Sequence, residues 1–238
     1  MSEIPVQYHD LFSLAYKEVW DFQMLVHEDI KRHKKIVLRD KNTSSSINHL
    51  IFCEHKPVYT LGKSADPSNL NKPKETLVAQ GFEVHTINRG GDVTYHGPGQ
   101  ITGYLILDLE LLYRDVHRYV RNLELAVILL LADYGIKAGR VEGLSGVWIT
   151  KKDTYVKICA IGVHLSRWVS MHGFGFNVNS DLAHFSNIIP CGIDASDKSV
   201  TSLAAELGEE QDMEVVKIRL KEKISQVFGL RYVNEKNK

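Results

Sequence analysis

Cys191 stands in the run Ser186-Asn187-Ile188-Ile189-Pro190-Cys191-Gly192-Ile193-Asp194, after a proline and before a glycine. A free thiol has a pKa of about 8.5, so little of it is thiolate at neutral pH, and a nucleophilic cysteine needs a base or a cation beside it. Pro190 fixes the approach of the chain. Gly192 leaves room for a substrate carbonyl and offers a backbone N–H to a developing oxyanion. The competing reading is a small hydrophobe filling a core. Cys53 and Cys159 fall inside apolar strand patterns without an adjacent glycine, and read as core. The sequence holds 11 histidines, and none is singled out by spacing as the partner of Cys191.

Lys157 offers a different base. In Tyr155-Val156-Lys157-Ile158-Cys159-Ala160-Ile161 it interrupts an apolar strand, and a strict period of two puts it on the face of Tyr155, Cys159 and Ile161. Ala160 and Gly162 then form a small-residue face opposite. Burial disfavours an ammonium ion and pulls a lysine toward general-base work, whereas on an edge strand the same side chain would snorkel into water. The segment His172-Gly173-Phe174-Gly175-Phe176 alternates glycine and phenylalanine. Gly173 and Gly175 on one face open a groove for an extended acyl chain, or admit another element at close range. His96, His164 and His172 form no short ligand pattern of the kind zinc requires, so no metal is assigned.

Arg89 to Gln100, RGGDVTYHGPGQ, is rich in glycine. Gly90 and Gly91 free the backbone to approach a ligand, Gly97-Pro98-Gly99 makes a tight turn, and Arg89 offers a fork of donors. The segment has neither the dinucleotide-binding spacing nor the Gly-Lys-Ser/Thr of a phosphate loop. Its plainest structural reading is a hairpin with two glycine turns.

Elements of a mixed kind must position these groups. Helical spacing runs from Asp10 to Lys34 and again from Arg114 to Tyr134, where Gly135 stops it. Thr201–Leu207 and Met213–Phe228 read as C-terminal helices. Strands are expected at Asn48–Glu54, Phe82–Asn88, Ile101–Leu109, Gly146–Thr150, Tyr155–Leu165 and Val169–Asn177, with a loop at Asn42–Ser46. No regular βαβ alternation appears, so the expected class is α+β, a sheet flanked by helices. The cluster Lys31, Arg32, His33, Lys34 and Lys35 reads as a solvated helix end favoured by the macrodipole. The sharper alternative is a docking patch for an acidic partner.

The 238 residues carry 29 cationic and 29 acidic side chains, so no global field draws the chain to nucleic acid or to an anionic membrane. An odd number of cysteines, and a start without a basic region and apolar run, point to a reducing, cytoplasmic setting. The apolar stretch Leu123 to Ala132 is interrupted by Glu124 and too short to span a bilayer. No linker or repeat divides the chain, and one domain over 1–238 is expected.

RGGDVTYHGPGQ resembles the signature of the lipoyl (octanoyl) transferase family. Three further blocks resemble it in the same order: Gly143-Leu144-Ser145-Gly146-Val147-Trp148, Lys157-Ile158-Cys159-Ala160-Ile161-Gly162, and His172-Gly173-Phe174-Gly175-Phe176-Asn177-Val178-Asn179, which leads on to Pro190-Cys191-Gly192. The resemblance implies the fold of biotin and lipoate protein ligase catalytic domains, a mixed, largely antiparallel sheet flanked by helices. It implies a cysteine–lysine pair, Cys191 as nucleophile and Lys157 as the base that lowers its pKa. Substrate would be bound by Arg89, Gly90, Gly91, Asp92, Val93, Thr94, Tyr95 and His96, with Ala160, Ile161 and Gly162, and with Gly173, Phe174 and Gly175. The implied donor is octanoyl-acyl carrier protein. The implied acceptors are lipoyl domains of 2-oxoacid dehydrogenases and the glycine cleavage H protein, and no cofactor is implied. Asp92 departs from the pattern, since a neutral residue commonly follows the paired glycines. Two other readings of the same scaffold are an ATP-dependent lipoate–protein ligase and a non-catalytic acyl-binding module. The first would be expected to carry Arg-Arg-x-Ser-Gly-Gly-Gly in place of RGGDVTYHGPGQ, and the second needs neither Cys191 nor Lys157.

Overall fold

The computed structural model describes residues 3–39, 47–189 and 198–233. The loop expected at Asn42–Ser46 lies outside them, as does the segment that holds Cys191. In chain order the strands are β1 (Ile4–Leu14), β2 (Asn48–His55), β3 (Val58–Leu61), β4 (Glu83–Thr86), β5 (Val93–His96), β6 (Gln100–Ile106), β7 (Ala138–Gly139), β8 (Val147–Lys151), β9 (Thr154–Ser166), β10 (Val169–Asn177), β11 (Lys198–Val200) and β12 (Leu230–Val233). The helices are α1 (Tyr16–Arg39), α2 (Lys74–Ala79), α3 (Val116–Asp133), α4 (Leu203–Leu207) and α5 (Met213–Phe228).

The large sheet runs β12-β1-β2-β6-β10-β9-β8-β7, with β11 added beside β9. Its pairings from β2 through to β7 are antiparallel, while β1 lies parallel to both β2 and β12 and β11 lies parallel to β9. This is the α+β, largely antiparallel arrangement expected. Alternation along the central strands sorts the two cores. Leu50, Phe52, Ile101 and Leu105 point to α3 and α5, whereas Ile51, Cys53, Tyr104 and Ile106 pack beneath Val19, Val26 and Ile30 of α1. Among the described residues no helix is long and apolar enough to cross a membrane.

The first helix starts later than its apolar spacing suggests. Asp10 to Leu14 continue β1 along β2, and the helix begins at Tyr16. The Glu18 carboxylate reaches back to accept from the Ala15 N–H at 3.1 Å, the reciprocal half of a capping box. The hairpin expected in the glycine-rich segment does not form either. β5 pairs with β3 in a separate three-stranded sheet, while β6 pairs with β2 and β10. Gly97-Pro98-Gly99 therefore carries the chain from one sheet to the other, with Gly99 at φ 77° and its N–H donating to Glu54 at 3.0 Å.

Candidate functional site

A β-bulge decides where Lys157 points. Opposite β8, Val147 pairs with Cys159 and Trp148 with Lys157, so Ile158 is an extra residue in β9. A bulge reverses the alternation beyond it and re-aims side chains. Val156, Ile158 and Cys159 all enter the main core. Lys157, Ala160 and Gly162 instead line one cavity. Strict alternation had set Lys157 on the face of Cys159 and opposite Ala160 and Gly162. The inserted residue overturns that placement.

The cavity spans about 790 Å³, open solvent at its mouth included. Across the strands Gly162 pairs with Gly173 and Ala160 with Gly175, which makes part of its wall almost free of side chains. The space that Gly173 saves is taken by the Gly103 carbonyl of β6, so close packing claims that glycine. Gly162 is required for another approach. A Cβ there would lie 2.7 Å from the Gly90 carbonyl, where the Arg89–Gly91 strap crosses β9 and the Gly90 N–H donates to Val163 at 2.9 Å. Phe174 packs its ring over Gly103 and against Phe52 while also bordering the cavity.

Lys157 is 8 % exposed, with Nζ 4.5 Å from the centre of the Trp148 ring, a cation–π geometry. Arg89 is buried. Its guanidinium donates to the Thr60 carbonyl at 2.6 Å, to Thr60 Oγ1 at 3.0 and 3.2 Å and to the Gly90 carbonyl at 3.0 Å, so it holds the strap in place. Asp92 borders the cavity but its carboxylate braces the loop, accepting from the Val93 N–H at 2.7 Å and from the Asn69 side chain. That bracing accounts for a charge where the resemblance leads one to expect a neutral residue.

Of the residues expected at the site, Arg89, Gly91, Asp92, Val93, Thr94 and His96 line the cavity. So do Lys157, Ala160, Ile161, Gly162, Gly173, Phe174 and Gly175. Tyr95 does not: it packs with Tyr59, Phe82 and Phe185 in the core under the small sheet. Gly90 turns to a different cavity on the other side of the strap. Cys191, with Pro190 and Gly192, lies outside the described residues. Both neighbouring stretches of chain reach the cavity, since Phe185 and Val200 line it and Val200 pairs with Lys157.

Tyr16, Gln100, Tyr104, Ser145 and Asn177 also line the cavity and were not expected there. Gln100 ends one motif block, and Asn177 and Ser145 lie within two others, so block membership was the available signal. Tyr16 and Tyr104 carried none. Ser145 is brought in by Glu124, whose carboxylate is fully buried in α3. Glu124 accepts from Arg121 and Arg140 at 2.7 Å each and from the Gly146 N–H at 3.1 Å.

Three buried histidines, His55, His96 and His172, are held neutral. Burial lowers His55 to about 4 and His96 and His172 to about 3. His55 bonds Tyr104 Oη at 2.6 Å, His96 bonds Gln100 at 2.6 Å and His172 bonds Asn88 at 2.7 Å. His172 sits in β10 at φ 62°, its backbone N–H turned out of the ladder to Gln23 of α1 at 3.1 Å. Each of these rings takes up its proton near pH 6.5 in the unfolded chain but far lower in the folded one. Their contribution is therefore complete above 6.5 and is lost as pH falls toward 4. At pH 5 each is expected to cost about 2 kcal/mol of stability relative to pH 7. Urea unfolding at both pH values checks this, and equal midpoints would contradict it.

The described cysteines are poor nucleophiles. Burial raises Cys53 to about 11, and burial with the nearby Glu124 raises Cys159 further. The basic end of α1 is largely neutralised within the chain. Lys31 pairs with Glu28, Arg32 with Asp29 at 3.1 Å, and Lys34 with Asp108 at 2.6 Å and Glu110 at 3.2 Å.

A family model described as the lipoyl protein ligase A/B catalytic domain matches residues 16–225. The octanoyltransferase of Flavobacterium johnsoniae is 48% identical over 230 residues, covering 96% of this chain and 98% of its own. That of Cytophaga hutchinsonii is 47% identical over 231 residues, covering 94% and 93%. Among solved structures, a putative lipoate protein ligase from T. acidophilum with bound lipoic acid superposes with a TM-score of 0.64 at 14% identity, over 98% of this chain and 88% of that one, a likeness of fold. With a catalytic-domain match over most of its length and relatives at this level of identity, the chain belongs to the octanoyltransferase family of acyltransferases that act in protein lipoylation.

Proposed function

We propose that this protein, acting as one catalytic domain, moves an octanoyl group from the thioester of octanoyl-acyl carrier protein to a lysine of a lipoyl domain, through a thioester on Cys191. The observation that carries the mechanism is Lys157, buried on the cavity wall beside the small-residue patch of Ala160, Gly162, Gly173 and Gly175. Burial holds Cys53 and Cys159 as thiols, which leaves Cys191 as the cysteine available for covalent work.

In the first step the Sγ proton of Cys191 passes to Lys157 Nζ, and the thiolate attacks the thioester carbonyl. An Sγ–acyl bond forms, the acyl–sulfur bond to the carrier breaks, and the departing carrier thiolate takes the proton. In the second step the acceptor lysine amine attacks the acyl-enzyme. An amide bond forms, the Sγ–acyl bond breaks, and the proton released by the amine returns to Cys191. Lys157 acts as base and acid in both. Thr94, His96, Gln100 and Asn177 supply polar groups around the reacting centre, and Arg89 holds the strap against Gly162. The acceptors are lipoyl domains of 2-oxoacid dehydrogenases and the glycine cleavage H protein, and the reaction runs in the cytoplasm.

The thioester already carries the activation, so transfer from octanoyl-acyl carrier protein to a lipoyl domain is expected without ATP. Free octanoate with ATP is expected to give no product. Product that forms only with ATP would identify a ligase and overturn the proposal.

A further inference from the structure

Behind the Arg89–Gly91 strap lies a second open cavity of about 860 Å³. Arg89 and Gly91 face the acyl cavity and Gly90 faces this one, so a single crossing of backbone separates them. Asn88 lines the second cavity while its side chain bonds His172 on the wall of the first. Its apolar lining is Val116, Val163, Leu165 and Trp168, and Lys63, Arg167 and His164 complete it with no carboxylate among them.

Lys63 and Arg167 differ from the cations of α1. Both are exposed, and neither has a carboxylate within ion-pair distance among the described residues, whereas Lys31, Arg32 and Lys34 are paired. Arg167 is presented on a fixed turn. Arg167 and Trp168 adopt φ of 54° and 62°, Lys34 donates to the Arg167 carbonyl at 2.9 Å, and the Leu109 N–H donates to Trp168 at 2.8 Å. After burial, Lys63 and Lys31 are the groups that push the His164 pKa down, which marks a locally positive potential. A concave site with an apolar floor and unpaired cations suits a slender arm that is part hydrocarbon and part phosphate better than it suits a globular acidic face.

We propose that this second cavity binds the phosphorylated stem of the pantetheine-type arm that carries the donor thioester, with Lys63 and Arg167 meeting the phosphodiester and the apolar floor taking the hydrocarbon portion. The proposal rests on the acyl-transfer reading, in which the donor is a thioester on a carrier. The arm would enter beside the strap and deliver its thioester toward Lys157.

The test compares S-octanoyl-pantetheine, S-octanoyl-4′-phosphopantetheine and octanoyl-acyl carrier protein as donors to a lipoyl domain. In the unaltered protein the phosphate is expected to raise kcat/KM by roughly 2- to 30-fold, as two exposed charge contacts supply. In the double variant Lys63→Ala/Arg167→Ala the ratio between the two small donors is expected to fall to near one. No gain from phosphate in the unaltered protein, or an unchanged ratio in the variant, overturns the proposal. A loss confined to the carrier-bound donor overturns it too, because the cations would then meet the carrier's own surface. Turnover of none of the three donors would instead overturn the acyl-transfer reading, and this inference with it.

Discussion

Lys157→Ala is expected to lower the rate of acyl transfer by about 10²- to 10⁴-fold, the range that a positioned general base contributes. The side chain sits beside the small-residue patch, its Nζ over the Trp148 ring, and it is aimed there by an inserted residue in β9. A bulge that leaves one residue outside the ladder is kept where a side chain must be re-aimed. Removing the amine leaves that backbone in place, so circular dichroism and the urea midpoint are expected to show a folded protein while turnover is lost. Lys157→Arg is expected to fail as well, because a guanidinium keeps its proton in proteins and cannot serve as base. Near-normal turnover by Lys157→Ala would move the base to another group and undo the proposed mechanism.

Cys191→Ala is expected to remove detectable transfer, an effect at least as large, since no other described cysteine can replace it. Cys53 is fully buried beneath α1, and Cys159 is fully buried in the main core, where Glu124 adds to the cost of a thiolate. Cys191→Ser is expected to be nearly as impaired, because a hydroxyl is much harder to ionise than a thiol and a lysine base compensates little. In both variants donor binding is expected to persist, since the described wall residues and the strap are unchanged. Loss of turnover with intact donor binding separates a missing nucleophile from a collapsed site.

Much of the site was legible because its glycines and its lysine sit in blocks whose order is distinctive. The blocks placed Arg89, Gly91, Lys157, Gly162 and Gly175 together, and the cavity contains them all. Alternation misled at Lys157. The run Ile158-Cys159-Ala160-Ile161 has no polar residue to mark the phase shift, and a bulge is decided by pairing with β8, which is distant in sequence. At Tyr95 it was block membership that misled, since β5 joins β3 and turns that ring into the core of the small sheet. Tyr16 and Tyr104 reach the cavity from a helix start and a strand that read simply as apolar, a convergence that only tertiary packing reveals. The end of β1, Asp10 to Leu14, was hidden by spacing that suits a helix as well as a strand; pairing with β2 decided it. The basic end of α1 reads from sequence as a solvated helix end, with a docking patch as the alternative; its partners on α1 and in the stretch after β6 are not visible in the spacing.

The central claim is the covalent octanoyl-cysteine. Incubating the protein with octanoyl-acyl carrier protein and no acceptor, then measuring intact mass and mapping the modified peptide, tests it most directly. The account predicts the mass of one octanoyl group on Cys191, gained by the unaltered protein, absent from Cys191→Ala and discharged when a lipoyl domain is added. Product formation by a protein that never acquires that adduct, or an adduct on another residue that discharges to the acceptor, would contradict it.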